Sequence, residues 1–309
     1  MRTRAIASDM CEPDVSQPDL RIPARGTVAL LTILTSLLSF AAADDPSRPE
    51  SPDATPARTG GPRAEPAEAR LSAAVRPAAV RELLERDPMA VVRAGREFYE
   101  TQVRDYTCTF VKQERIRGRL GKVERIEVRF RKRPFSVFFV WKENANKVRR
   151  ALYIDRPDYV DSKGRKLARV EPNGAIARLF VRDIKLPLHS KRSREVSRRS
   201  LDDFGFGAFF RMLEEYNGAA AEKGVLRFSF VGTGQIDGRP TYVFERYLPY
   251  TGEDGPWPDA KMIMHLDQQW LLPVAVYSYA DAKGTKLLGS YVFEDVKLNV
   301  GLTDRDFQF

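Results

Sequence analysis

Cysteine and histidine are scarce in this chain, with two of each in 309 residues. Cys11 lies ahead of a short apolar run near the N-terminus, and Cys108 lies well inside the chain. Once the segment carrying Cys11 is cleaved, no intramolecular disulfide can form. Cys108 alternates with Tyr106 and Phe110 and reads as a small buried apolar residue rather than a nucleophile. His189 and His265 have no metal-type partner nearby in sequence, so no metal site and no cofactor are expected. His265 alternates with Met264 in an apolar run and reads as a strand histidine, not a base. G-x-S-x-G and a phosphate-binding glycine loop are also missing. Paired carboxylates do occur, at Asp202-Asp203, Glu214-Glu215 and Asp304/Asp306. General acid–base chemistry needs carboxylates that converge across a cleft, and adjacency in sequence does not supply that. The chain is therefore read as non-enzymatic, and a hydrolase with an unrecognised site is the weakest alternative.

Long apolar runs are missing too. Val28 to Ala43, VALLTILTSLLSFAAA, is short for a membrane span. Arg21 and Arg25 precede it, and Ala41-Ala42-Ala43 offers an A-x-A site at its end. Residues 1–43 thus read as a signal peptide, or as an N-terminal anchor if cleavage fails. No cysteine follows the run, so lipoprotein attachment is not suggested. Export to the periplasm or cell envelope is expected. Residues 44–75 are rich in Pro, Ala and charge without periodicity, and read as a disordered tether. Residues 76–309 remain, enough for one domain with a real core.

Charge is unevenly spread. Net charge is +9, yet Lys112 to Arg199 holds 27 Lys/Arg against 10 Asp/Glu, and Ser200 to Phe309 holds 10 against 16. The basic half suggests attraction to an anionic surface, and Arg125, Arg129, Arg131, Lys132 and Arg133 are its densest run. A solvated strand face and its end is the favoured reading of that run. Phe130 and Phe135 could be read as base-stacking aromatics interleaved with it, but an exported protein rarely meets nucleic acid, so no nucleic acid is expected.

Hydrophobic periodicity supplies the fold class. Ala79, Val80, Leu83 and Leu84 share a helical face, and Asp87-Pro88 restarts a helix with Asp87 as N-cap. Val91, Ala94 and Phe98 then mark its apolar stripe. Strands follow from Tyr106. Gly118 and Gly121 bracket a hairpin, and Ile126, Val128 and Phe130 alternate with Glu127, Arg129 and Arg131. Ser136 to Trp141 is apolar on both faces. Val148 to Ile154 and Lys166 to Val170 are further strands, and Ala175 to Val181 is an apolar segment of open type. Lys185 to Arg199 reads as a basic loop. A helix is expected from Phe204 to Tyr216, ended by Asn217-Gly218. Strands resume at Val225 to Val231, turn at Asp237-Gly238, and continue from Thr241 to Tyr247. Three more lie at Lys261 to Leu266, Val274 to Tyr279 and Lys286 to Val296. The result is α+β, a long curled antiparallel sheet with helices covering its concave face.

The closing pattern resembles a known superfamily. Leu266-Asp267, Leu272-Pro273, Tyr279, Asp281, Gly284, Tyr291-x-Phe293-x-Asp295-Val296, Asn299, Leu302, Asp304 and Phe307 are similar to the second half of LolA-like periplasmic lipoprotein carriers. Tyr106 to Arg115, Pro134-Phe135-Ser136-Val137 and Trp141 resemble the bacterial family called domain of unknown function 1571. This resemblance covers about Phe98 to Phe307 and implies an unclosed β-barrel with a helical lid over an apolar cavity that holds acyl chains. On that reading the inward residues are Phe110, Ile126, Val128, Phe130, Phe138, Val140, Leu226, Phe228, Phe230, Phe244, Met262 and Met264. Each of them also fits a solid core. The expected function is an exported carrier or binding protein for a lipid or lipoprotein acyl chain, with the basic run facing anionic membrane. The alternative is a cell-envelope structural or interaction module whose basic face binds an anionic polymer, membrane or protein partner. Sequence leaves the oligomeric state open.

Overall fold

The computed structural model of the chain describes residues 77–174, 183–252 and 255–309. The expected signal segment, tether and Ala175 to Val181 lie outside the described residues.

Two helices lead in. Helix α1 spans Pro77–Arg86 and α2 spans Pro88–Gln102. Asp87 caps α2 by accepting the Ala90 N–H at 3.0 Å, and Pro88 takes the first turn, where its missing N–H is harmless. The buried stripe of α2 is Val91, Val92, Gly95 and Tyr99, one residue round from the Val91–Ala94–Phe98 stripe expected from sequence. Ala94 and Phe98 are partly buried beside it.

Strands β1 (Asp105–Ile116), β2 (Arg119–Leu120), β3 (Glu124–Arg131), β4 (Ser136–Glu143), β5 (Val148–Ile154), β6 (Leu167–Pro172) and β7 (Ile184–Pro187) form the first half of the sheet. A single turn of helix, α3 (Lys191–Arg194), leads towards α4 (Phe206–Glu222). Strands β8 (Arg227–Ile236), β9 (Arg239–Tyr247), β10 (Lys261–Asp267), β11 (Pro273–Tyr279) and β12 (Leu287–Leu298) complete it. The order is β7-β6-β5-β4-β3-β1-β12-β11-β10-β9-β8, with β2 paired to β1 alone. All pairings are antiparallel, and β1 against β12 joins the two halves. The outermost strands β7 and β8 do not pair with one another, so the sheet is unclosed.

Two expectations are corrected. Lys185 to Arg199 is not simply a loop, because Ile184–Pro187 pairs with β6 and Lys191–Arg194 is helical. Helix α4 also runs through Asn217-Gly218 to Glu222. Asn217 is buried there with its side chain engaged by Arg246, and the following Ala219-Ala220-Ala221 favours continuation.

Register divides the sheet into faces. Phe110 opposes Ile126, Cys108 opposes Val128, and Tyr106 opposes Phe130, so these side chains share the inner face. Helices α2 and α4 pack onto it. Phe206 lies 4.8 Å from Tyr106 and 4.7 Å from Phe293. Gly205 caps α4 at φ 102, and a Cβ there would sit 2.9 Å from the Tyr106 hydroxyl. Only glycine meets both demands. The outer face of β3 to β6 is covered differently, by the chain after β12. Phe307 is buried against it, and Phe309 packs 5.8 Å from Phe138.

Candidate ligand cavity

Between the inner face and the segment 188–216 lies a cavity of about 600 Å³. That is within the range of small-molecule sites. The sheet supplies Phe110, Phe139, Ala151, Ala168, Val170, Met262 and Val276 to its wall. The covering segment supplies Leu188, Val196, Leu201, Phe204, Phe209 and Leu213. Small residues on β5 and β6, Ala151 and Ala168, leave room where the aromatic residues of β1 and β3 would fill it. Phe204 closes one side by packing edge-on to Phe110 at 5.1 Å and Phe139 at 4.8 Å.

One end of the cavity is ionic. Lys112 follows Phe110 on the inward register of β1, and Glu114 follows Lys112. Its ammonium lies 3.0 Å from Glu114 and 3.6 Å from Glu124. Lys112 is 5% exposed and Glu114 6%. Such burial requires full hydrogen bonding. The Trp141 indole N–H donates to Glu124 at 2.6 Å, and the Tyr291 hydroxyl donates to Glu114 at 2.9 Å. The backbone N–H of Arg198 adds a third donor to Glu114 at 3.3 Å. Burial opposes the Lys112 ammonium, but the two carboxylates outweigh it and hold its pKa above the ordinary value. Burial likewise opposes ionisation of Glu114, and Lys112 with the hydrogen-bond donors outweighs it and holds the pKa low. Burial drives Tyr291 upward, so its phenol stays a donor.

A second polar cluster sits further along the wall. Arg246 is 2% exposed and makes two bonds to Asp259, at 3.0 and 2.9 Å. It also donates to the Asn217 carbonyl oxygen at 3.1 Å. The cavity wall is thus mainly apolar, with these two buried polar clusters and with Lys147, Glu195, Arg199, Asp203, Arg211 and Glu215 also in its lining. Among the described residues no group of three or more His, Cys, Asp or Glu is arranged to hold a metal ion.

Of the twelve inward residues expected from sequence, Phe110 and Met262 line the cavity. Ile126, Val128, Phe130, Phe244 and Met264 lie in the packed core. Phe228 and Phe230 are half-buried on the outermost strand β8, 5.5 and 5.8 Å from Phe244. Leu226 belongs to a separate small cluster with Ala220, Leu248 and Trp257. Phe138 and Val140 are corrected to the outer face, since they oppose Arg129 and Glu127 in register. Phe139 and Trp141 point inward in their place. A run that is apolar on both sides carries no phase of its own.

The basic run is corrected as well. Arg125 pairs with Glu294 at 2.6 Å, and Arg131 pairs with Asp304 at 2.8 Å. Arg129 donates to the Asp306 carbonyl at 2.9 Å. Lys132 donates to the carbonyls of Tyr99 and Glu100. Only Arg133 of the five stands exposed without such a bond among the described residues. These charges tie the outer face to the chain's own tail and to α2.

Of the paired carboxylates, Glu214 meets Arg96, while Asp203 and Glu215 line the cavity. Asp306 closes a capping box with Thr303, and Asp202 bonds the exposed His189 at 3.0 Å, bracing the two ends of the segment 189–202. His265 bonds Thr241 at 3.0 Å, and burial pushes its pKa down to about 4. It lies on the outer side of β10, away from the cavity.

The family model described as Protein of unknown function (DUF1571) matches residues 103–309. No curated protein matches the sequence. Among solved structures the chain is similar to the Pseudomonas aeruginosa MucA/MucB complex, at 14% identity and TM-score 0.41, over 72% of this chain and 61% of that one. This chain therefore spans about three fifths of that relative's length. It is similar to the Mycobacterium tuberculosis lipoprotein LppX at 14% identity and TM-score 0.39, over 70% of this chain and 98% of that one. A LolA superfamily protein from Nitrosomonas europaea matches at 14% identity and TM-score 0.31, over 72% and 97%. These are likenesses of fold.

Proposed function

We propose, from the premise that this chain belongs to the DUF1571 family of proteins of unknown function, that it is a non-catalytic binding or carrier protein for an amphiphile. The acyl part of a lipid or lipoprotein occupies the apolar length of the cavity, and the polar part lies towards Lys112, Glu114 and Arg198. One observation carries this reading: a cavity of about 600 Å³ with a mainly apolar wall lies inside an otherwise packed domain. The alternative, an interaction module with a filled core, has no use for such a space. The apolar run at Val28 to Ala43 and its A-x-A end support an exported protein, and N-terminal sequencing of the mature chain tests that separately.

The experiment is uptake of a dansyl-labelled fatty acid by delipidated protein, with native mass spectrometry as the second readout. Ala168→Phe fills the cavity without burying a charge. It is expected to weaken uptake at least about tenfold while the melting temperature holds, since added volume competes directly with ligand. A delipidated, folded wild type that takes up no amphiphile overturns the reading.

A further inference from the structure

The cavity reaches solvent beside Asn146 and Lys147, both exposed and both part of its lining. Next to them stands the β1–β3 hairpin, whose tip runs Arg117-Gly118-Arg119-Leu120-Gly121-Lys122-Val123, every residue exposed. Leu120 and Val123 are each 41% exposed, among the few large apolar side chains left in solvent. Arg119 and Lys122 flank them without a carboxylate partner among the described residues. The tip itself contains no acidic residue. Arg117 meets Glu195 at 2.9 Å, and Lys147 reaches the same carboxylate at 4.0 Å. The covering segment adds Arg199 to the cavity lining, and Lys191 and Arg194 stand exposed just before Glu195 in the same segment. Glu195 faces this rim, while Glu114 and Glu124 at the base of the hairpin are engaged by Lys112, so the exposed tip itself carries only positive charge.

The tip is also held in shape. Gln113 donates to the Gly121 carbonyl at 2.8 Å, Arg115 to the Gly118 carbonyl at 2.9 Å, and Asn144 to the Val123 carbonyl at 2.7 Å. Three backbone acceptors are thereby satisfied from within. Bonded carbonyls remove much of the cost of taking a turn out of water. A hairpin that fixes two apolar side chains outward, satisfies its own carbonyls and surrounds them with cations has the chemistry of a membrane-surface element.

We propose that the hairpin tip 117–123 docks this protein on an anionic bilayer, with Leu120 and Val123 entering the head-group boundary and Arg119 and Lys122 meeting lipid phosphates. This surface is distinct from the basic strand run, whose charges apart from Arg133 are spent internally. Docking here brings the cavity entrance to the lipid. That purpose rests on the amphiphile reading above, whereas the surface itself does not.

The test is flotation with vesicles of phosphatidylcholine alone and of phosphatidylcholine with phosphatidylglycerol, at low and high salt. Wild type is expected to float with the anionic vesicles, less so at high salt, and not with the neutral ones. R119Q/K122Q is expected to bind about 30-fold more weakly, at roughly fivefold per charge removed. Leu120→Ser is expected to weaken binding, and Leu120→Trp to blue-shift its added emission on anionic vesicles. Val300→Ser and Arg305→Gln change exposed residues at the opposite end of the sheet and are expected to bind like wild type. Equal loss in those two controls, or equal flotation with neutral vesicles, overturns the proposal. So does binding to heparin with none to anionic vesicles, which would make the rim a polymer site. Ala168→Phe is floated in parallel: retained docking with lost uptake separates this surface from the cavity, and failure of either leaves the other readable.

Discussion

Lys112 occupies a position that its strand assigns to the interior. Tyr106, Cys108 and Phe110 precede it on the same face, and Glu114 follows. Replacing its ammonium with a methyl-bearing chain leaves Glu114 and Glu124 facing each other without a cation. Removing one partner of a buried pair costs about 3–5 kcal/mol, because the remaining charge keeps its desolvation penalty. Lys112→Met is therefore expected to lose about that much in urea denaturation at neutral pH. Adding Glu114→Leu to it should recover much of the loss, and no recovery would show that the pair does not act as a pair. The same residues give stability a pH dependence. Glu114 has a folded pKa below its ordinary value of 4.5. Its contribution is complete above that value and disappears as pH falls through the lower folded one. The signal for this site was present in the sequence, since a lysine and a glutamate continue an apolar alternation without a break in phase. Periodicity reasoning that seeks apolar residues passes over charges at apolar positions.

At the scale of elements, α2 and α4 meet where glycine permits it. A Cβ on Gly95 would run into the Leu271 carbonyl and stand 3.1 Å from the Phe210 ring, and one on Gly207 would run into the Tyr99 ring. Gly218, also within α4, has nothing within 4 Å. The two sites predict opposite signs for one substitution. Gly218→Ala should stabilise by up to about 1 kcal/mol, from helix propensity and reduced freedom of the unfolded chain. Gly95→Ala gains the same propensity but meets a backbone oxygen that cannot rotate away, and overpacking of about 1–3 kcal/mol wins. Thermal melts of the two variants check this, and a stabilised Gly95→Ala would mean that the helices are not in such close contact. Element type was readable along most of the chain. The Asp87-Pro88 cap, the Asp237-Gly238 turn and the strands from β8 to β12 all rest on local chemistry. What local chemistry could not supply was phase and extent. Phe138 and Phe139 are equivalent as neighbours in sequence, and only pairing with the alternating β3 decides that Phe139 faces the cavity. Asn217-Gly218 has the composition of a helix stop, and the buried Arg246 across from it, together with the alanines that follow, explains why the helix continues.

At the scale of the whole molecule, the sheet has two working faces with separate occupants. The inner face holds the cavity and the helices. The outer face of β3 to β6 holds the tail after β12, clamped by charges from the strands. Arg131 lies over the Phe307 ring at 4.8 Å, Arg150 and Arg169 lie over Phe309 at 5.0 and 4.8 Å, and Arg156 meets Asp304 at 3.1 Å. Part of the basic excess between Lys112 and Arg199 is used here, in contacts between residues more than a hundred positions apart. That is why a composition count could detect the excess without finding its purpose. The division of labour makes a prediction. Phe307 is 3% exposed, and Phe307→Ala should cost about 3–5 kcal/mol through lost burial and the cavity left behind. The loss falls on the face away from the ligand cavity. Fatty-acid uptake measured well below the lowered melting temperature should therefore stay within about twofold of wild type, because an undisturbed inner face preserves the binding free energy. Uptake that falls together with stability would mean instead that the strands transmit the tail's anchoring to the cavity wall. Phe139 and Ala151 would then depend on Phe307 through the β4 and β5 backbone they share with Phe138 and Arg150.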